Sequence, residues 1–150
     1  MKINFIFKTI LYNDSNKKIL FKKKIRSLLN HIASEENRNF SYVNIIFCNN
    51  ELIKEKNKKF LGHDYETDII TFHDVDEEGL LEGELLVSVE TVKSNSVKFK
   101  TTYDEEIYRV VIHGILHLCG YNDKTTSEKI KIRKKENHYI KKSDNARKGN

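Results

Sequence analysis

Residues 2–8, KINFIFK, alternate apolar and polar side chains in the way a half-buried strand does. From Ile19 to Ala33 the apolar positions recur at three- and four-residue intervals, which predicts a helix with one buried stripe. Tyr42 to Cys48 is a β-branched and aromatic run and predicts a strand. A short helix follows from Glu51 to Phe60, closed by Gly62. Thr67 to Phe72 and Glu84 to Val89 predict two more strands, joined by an acidic loop with Asp74, Asp76, Glu77 and Glu78, and with Gly79 and Gly83 as turn residues. Thr91 to Lys98, Asp104 to Leu118 and Thr126 to Ile140 predict three further helices. No repeat or linker interrupts this order. The expectation is a single α+β domain over residues 1–140, a mixed sheet of about four strands packed with helices, and a basic flexible tail over 141–150.

The helix predicted over 104–118 departs from the amphipathic pattern. Val110, Val111, Ile112, Ile115, Leu116 and Leu118 make it apolar on nearly every face, so it should be buried. It nevertheless carries His113 and His117, four residues apart and therefore one turn apart on one face. Such a pair is expected about 0.2 times by chance in a chain of this composition and is weak alone. Gly120, just past the last apolar residue, can take a left-handed helix-ending conformation and turn Asp123 back toward the imidazoles. Two buried imidazoles need partners, either a metal ion or hydrogen bonds from neighbouring chain. With Asp123 they offer three ligands and leave one coordination position open, a metal site at the end of a buried helix. His-x3-His with an acid six residues on is also the spacing of metzincin proteases. Their general base follows the first His as Glu, whereas this chain has Gly114.

The formal charge of +5 is unevenly placed. Residues 124–150 hold 10 Lys and Arg against 3 Asp and Glu, while residues 1–123 hold 17 against 19. Lys129, Lys131, Arg133, Lys134 and Lys135 occupy successive faces of the last helix, either as a solvated helix end or as a contact for nucleic-acid phosphates. Cys48 and Cys119 both sit in apolar runs, which suits buried thiols better than a disulfide. Cys119 is rotated about 200° from His117 and points off the ligand face. The opening MKINFIFKTI is too short and too soon interrupted for a signal or membrane span, so a cytoplasmic location without membrane contact is expected.

HGILHLCGYND at 113–123, TDIITF at 67–72 and GEL at 83–85 together closely resemble the YbeY family of bacterial metal-dependent endoribonucleases and ribosomal RNA maturation factors. The resemblance covers residues from about 40 to 140 in order and spacing. It implies a small α+β fold, one bound zinc, and a role in ribosomal RNA processing and small-subunit quality control. The implied partners are single-stranded or ribosomal RNA and the small ribosomal subunit, with a GTPase or ribosomal protein as a further candidate. The family pattern HGxLHLxGYDH places metal ligands at His113 and His117 and a third histidine at position 123. Here that position is Asp123, preceded by Asn122 where the family usually has Asp. An arginine that the family often carries before its TDxxSF strand aligns with Leu61. Arg109, one turn before His113 on the same face, can take over its phosphate contact.

The expected chemistry follows from that donor set. Zinc held by His113, His117 and Asp123 would keep one position for water, bring its pKa toward about 7 and polarise a phosphoryl oxygen. His113, His117 and Arg109 are the residues expected to carry catalysis. The nucleophile is either activated water or the 2′-hydroxyl, and the sequence leaves both open. Asp68 can orient a ligand histidine or cap a turn, and Glu84 can reach the site or merely begin a strand. His31, His63, His73 and His138 lack partner spacing; of these His73, at a strand end, is the one to examine. Tyr121 is expected to pack rather than to react. Two alternatives to the endoribonuclease remain: a zinc-containing ribosome-assembly factor that binds RNA without cutting it, and a small metallopeptidase.

Overall fold

The computed structural model describes the backbone of residues 2–7 and 15–148 and the side chains of residues 15–143. The elements run β1 (Lys2–Phe7), α1 (Ser15–Glu35), β2 (Phe40–Cys48), α2 (Asn50–Leu61), β3 (Ile69–Val75), β4 (Leu81–Ser88), α3 (Val89–Lys98), α4 (Tyr103–Leu118) and α5 (Thr126–Lys148). Every predicted element is present in its predicted order. Position 8 of the first predicted strand lies outside the described residues. The last helix continues to Lys148 rather than ending at Ile140, and the tail side chains from position 144 on lie outside the described residues.

The four strands form one mixed sheet in the order β1-β2-β4-β3. β1 and β4 both pair parallel to β2, and β3 closes the edge antiparallel to β4. Val43, Ile45, Phe47, Leu85 and Val87 alternate onto one face and bury fully against α1 and α4. The other face is covered at one end by α2, whose Ile53 packs with Cys48, Ile70 and Leu86. Among the described residues no helix is long and apolar enough to cross a membrane.

The strand boundaries correct one expectation. Gly83 is not a turn residue but lies inside β4, because the hairpin turn is the shorter stretch between Val75 and Leu81. There the Asp76 carboxylate accepts from the backbone N–H of Glu78 and of Leu80, both at 2.9 Å, and Gly79 takes φ +85°. Gly83 is needed for a different reason: a Cβ there would stand 2.4 Å from Cδ1 of Leu118. Its absence lets the end of α4 settle directly on the sheet.

The helix ends are set by local chemistry. Asn49, Ser88 and Thr102 each accept a backbone N–H of the first turn of α2, α3 and α4, and Gly62 ends α2 in the left-handed conformation. Thr125 and Glu128 form a reciprocal capping box at the start of α5, with Thr125 N–H donating to Glu128 Oε1 at 2.9 Å and Glu128 N–H donating to Thr125 Oγ1 at 3.1 Å. The chain between α4 and α5 is therefore held at both ends.

Candidate metal centre

α4 is the central helix, packed against α1, α3, α5 and strands β3 and β4. Its buried stripe is Ile107, Val110, Val111, Ile112, Ile115, Leu116 and Leu118. Gly114 lies against the sheet: a Cβ there would be 2.6 Å from Cδ1 of Ile69 and 3.0 Å from Cδ2 of Leu85. A glutamate at this position would be driven into the core. His113 and His117 emerge on the remaining face, with side chains 24% and 23% exposed.

α4 ends at Leu118, and Gly120 takes φ +106°, donating its N–H to the His117 carbonyl at 3.0 Å. This turn swings Asp123 back onto the histidines. Nε2 of His113 and Nε2 of His117 are 3.0 Å apart, and Oδ2 of Asp123 is 3.2 Å from the first and 3.4 Å from the second. A four-coordinate cation with bonds of about 2.0–2.1 Å spaces its donors about 3.3 Å apart, so the triangle has the size such an ion requires. The donor set also fits chemically, since two imidazoles and one carboxylate are ligands of a borderline divalent ion. Among the described residues this is the one group of three such side chains that could hold a metal.

Behind the triangle stands a residue that the sequence reading missed. Glu136, on α5 and with its side chain 5% exposed, meets Nδ1 of His113 through Oε2 at 2.7 Å. With Nδ1–H donating to this carboxylate, the neutral ring presents its Nε2 lone pair to the centre of the triangle. Oε1 of Glu136 accepts from Arg109 at 3.4 Å and lies 3.6 Å from Arg133. Arg109 also donates to Oδ1 of Asn137 at 3.0 Å, so its guanidinium is fixed beside the site. Burial by itself would lower the His113 pKa. The hydrogen bond to Glu136 and the negative charges of Glu136, Asp123 and Asp68 outweigh it, and the pKa lies above the ordinary 6.5. The negative charges of Glu136, Asp123 and Asp68 would also favour a cation at the triangle.

The remaining expectations sort by geometry. Asp68 lines the same cavity as His113, but the partner of the His113 ring is Glu136; the Asp68 carboxylate meets Thr67 Oγ1 at 3.4 Å and its carbonyl accepts from Ser88 N–H at 2.8 Å. Glu84 begins no strand and does not reach the site: it pairs with Asn44 and Phe72, one step out of phase with the Gly83 and Leu85 face that α4 covers. His73 is exposed on β3 and outside the triangle. His31 and His138 pair with Glu35, and His63 stacks on Tyr65. Cys119 is a buried free thiol whose pKa burial pushes up to about 11, and Cys48 is likewise free and buried. Leu61 ends α2 half exposed.

A second missed residue, Glu36, anchors the loop that carries Asp123. Its carboxylate accepts from Tyr121 at 2.6 Å, from Tyr139, and from Lys135 at 3.1 Å. Burial raises its pKa, but these three donors outweigh burial and hold the carboxyl below its ordinary 4.5. Tyr121, expected to pack, is thus also tethered.

His113 and Asp123 of the triangle line a cavity of about 520 Å³ between the end of α3, α4 and α5. Its charged lining comprises Asp68, Glu106, Asp123 and Glu136 against Arg109, Lys129 and Arg133. One divalent cation would turn that formal balance positive. The sequence profile of the family described as Endoribonuclease YbeY matches residues 10–144. The chain belongs to this YbeY family. An Endoribonuclease YbeY of Cytophaga hutchinsonii is 42% identical over 132 residues, covering 88% of this chain and 90% of that one. Another YbeY, from Bacteroides fragilis, is 46% identical over 108 residues, covering 72% and 77%. The solution structure of a Thermotoga maritima protein superposes with a TM-score of 0.62 at 29% identity, covering 99% of this chain and 91% of that one.

Proposed function

We propose that this protein is a zinc-dependent endoribonuclease that cuts single-stranded segments of ribosomal RNA precursors and acts in small-subunit quality control, in the cytoplasm and away from membranes. Membership of a family named for endoribonuclease activity supports RNA as substrate. The observation that carries the metal dependence is the 3.0, 3.2 and 3.4 Å triangle of His113, His117 and Asp123, two of whose corners, His113 and Asp123, line a cavity.

In this reading His113 and His117 would hold a zinc ion from one helix and Asp123 from the loop, and the ion, when bound, would supply Lewis acidity toward water and a phosphoryl oxygen. Glu136 keeps the His113 ring in the tautomer whose Nε2 is free. Arg109, steadied by Glu136 and Asn137, stands where it can meet the negative charge that grows on a phosphoryl group. Gly114 offers no carboxylate and no room for one, so the peptidase arrangement has no base at this position. Lys129 and Arg133 give the cavity a cationic wall suited to a phosphate backbone. The second reading, an assembly factor that binds RNA without cutting it, is favoured only by Leu61, an apolar side chain at the position where the family often has arginine.

Zinc analysis of the purified protein, followed by incubation with labelled precursor ribosomal RNA and with casein, tests the proposal. It requires RNA cleavage by the intact protein, loss of cleavage in both His113→Ala and Asp123→Ala, and no casein digestion. RNA binding without cleavage would replace it with the assembly-factor reading.

A further inference from the structure

Among the described residues, Phe99 is the one aromatic residue besides His113 lining the cavity. It caps α3, its N–H donating to the Asn95 carbonyl at 2.8 Å, and it belongs to neither apolar core. Phe99 is 58% exposed and lines the same cavity as His113 and Asp123. Lys98 Nζ lies 5.5 Å from its ring centroid. Asn95, one turn earlier on the same helix, also lines the cavity and offers an amide with donor and acceptor atoms. The two basic α5 residues on this cavity, Lys129 and Arg133, are spaced to share one helix face.

An aromatic residue, an amide beside it, cations from α4 and α5, and the His113 and Asp123 corners of the metal triangle make a compartment with the parts that one nucleotide needs. Its volume of about 520 Å³ falls in the range, about 300–1,000 Å³, that encloses small ligands. We propose that Phe99 is a nucleobase-stacking platform: the base of an unpaired nucleotide next to the scissile phosphodiester lies on the Phe99 ring, its edge read by Asn95. The phosphate of that nucleotide points toward Arg109, Lys129 and Arg133. Stacking on a side chain requires a base free of its own neighbours, so this subsite selects single-stranded over duplex RNA. The proposal rests on the RNA reading of the metal site.

The test uses the zinc-loaded protein and a short single-stranded oligoribonucleotide with 2-aminopurine at one internal position, beside the same strand made abasic there. Phe99→Leu keeps an exposed apolar side chain of similar bulk and should leave zinc content and thermal midpoint unchanged. Its KM for the 2-aminopurine strand should rise on the order of tenfold, and the change in 2-aminopurine fluorescence expected on binding to the intact protein should be lost. Phe99→Trp should retain a low KM and a fluorescence change on binding, and the abasic strand should show no difference between the intact protein and Phe99→Leu. Equal KM and an equal fluorescence change in Phe99→Leu would overturn the platform while leaving the nuclease reading intact. An equal loss on the abasic strand would overturn it as well. An intact protein that neither binds nor cuts the strand would overturn both.

Discussion

Replacing Glu136 by Gln removes one negative charge and almost no volume. The carboxylate is 2.7 Å from His113 Nδ1, and its side chain is 5% exposed, so no bulk water stands ready to replace it. A glutamine has one acceptor oxygen where the carboxylate has two. If that oxygen takes the His113 N–H, its NH2 must face the Arg109 and Arg133 guanidinium groups that now lie 3.4 and 3.6 Å from Oε1. One contact is lost in either orientation. Loss of such a partner behind a ligand histidine weakens metal binding by about 10–100-fold, or about 1.4–2.7 kcal/mol. We expect the zinc Kd of Glu136→Gln to rise by about tenfold or more at pH 8, where protons compete least, in competition with a chromogenic chelator. Arg133→Gln, which removes a largely exposed partner of the same carboxylate, should change the Kd less than twofold. In the metal-free variant the His113 pKa should fall, since the largest of the contributions that offset burial, the hydrogen bond and charge of Glu136, would be lost. A zinc Kd within twofold of the intact protein, with an unchanged His113 titration, would refute the orienting role of Glu136.

The Glu36 carboxyl is held below 4.5, so its contribution to stability is present above that value and is lost as pH falls through the lower folded-state pKa. Glu36→Gln should cost about 1–3 kcal/mol in urea unfolding at pH 7 and progressively less below pH 4.5; an equal cost at pH 7 and at pH 3 would contradict this. Gly114→Val should destabilise by about 1–3 kcal/mol through overpacking against Ile69 and Leu85, and an unchanged denaturation midpoint would show that the α4–sheet contact is looser than described.

The legible parts of this chain are those governed by neighbours in sequence. Hydrophobic period gave the order of strands and helices, and His113, His117, Gly120 and Asp123 could be joined because ten residues of helix and turn connect them. Glu136 was not legible because docking of α5 on α4 decides what it faces. A signal existed: Ile132, Glu136 and Tyr139, spaced four and three apart, are all buried, so an acid occupies the apolar stripe of a cationic helix. Glu36 lies 85 and 103 residues from its two tyrosines, and no local pattern announces that meeting. Gly83 reads in sequence as a turn residue because glycine alone does not distinguish a bend from a close approach of helix to sheet. Phe99 reads in sequence as an ordinary apolar residue near a helix end, and only its exposure on the cavity sets it apart.

We propose that RNA cleavage requires one zinc ion held by His113, His117 and Asp123. Titrating zinc into chelator-stripped protein while following cleavage of labelled single-stranded precursor RNA tests it most directly. Activity should be absent at the start, rise in proportion to added zinc and level off at one equivalent per chain. In Asp123→Ala the rise should be missing at the same zinc levels. Full cleavage by the stripped protein, or an unchanged titration in Asp123→Ala, would contradict the account.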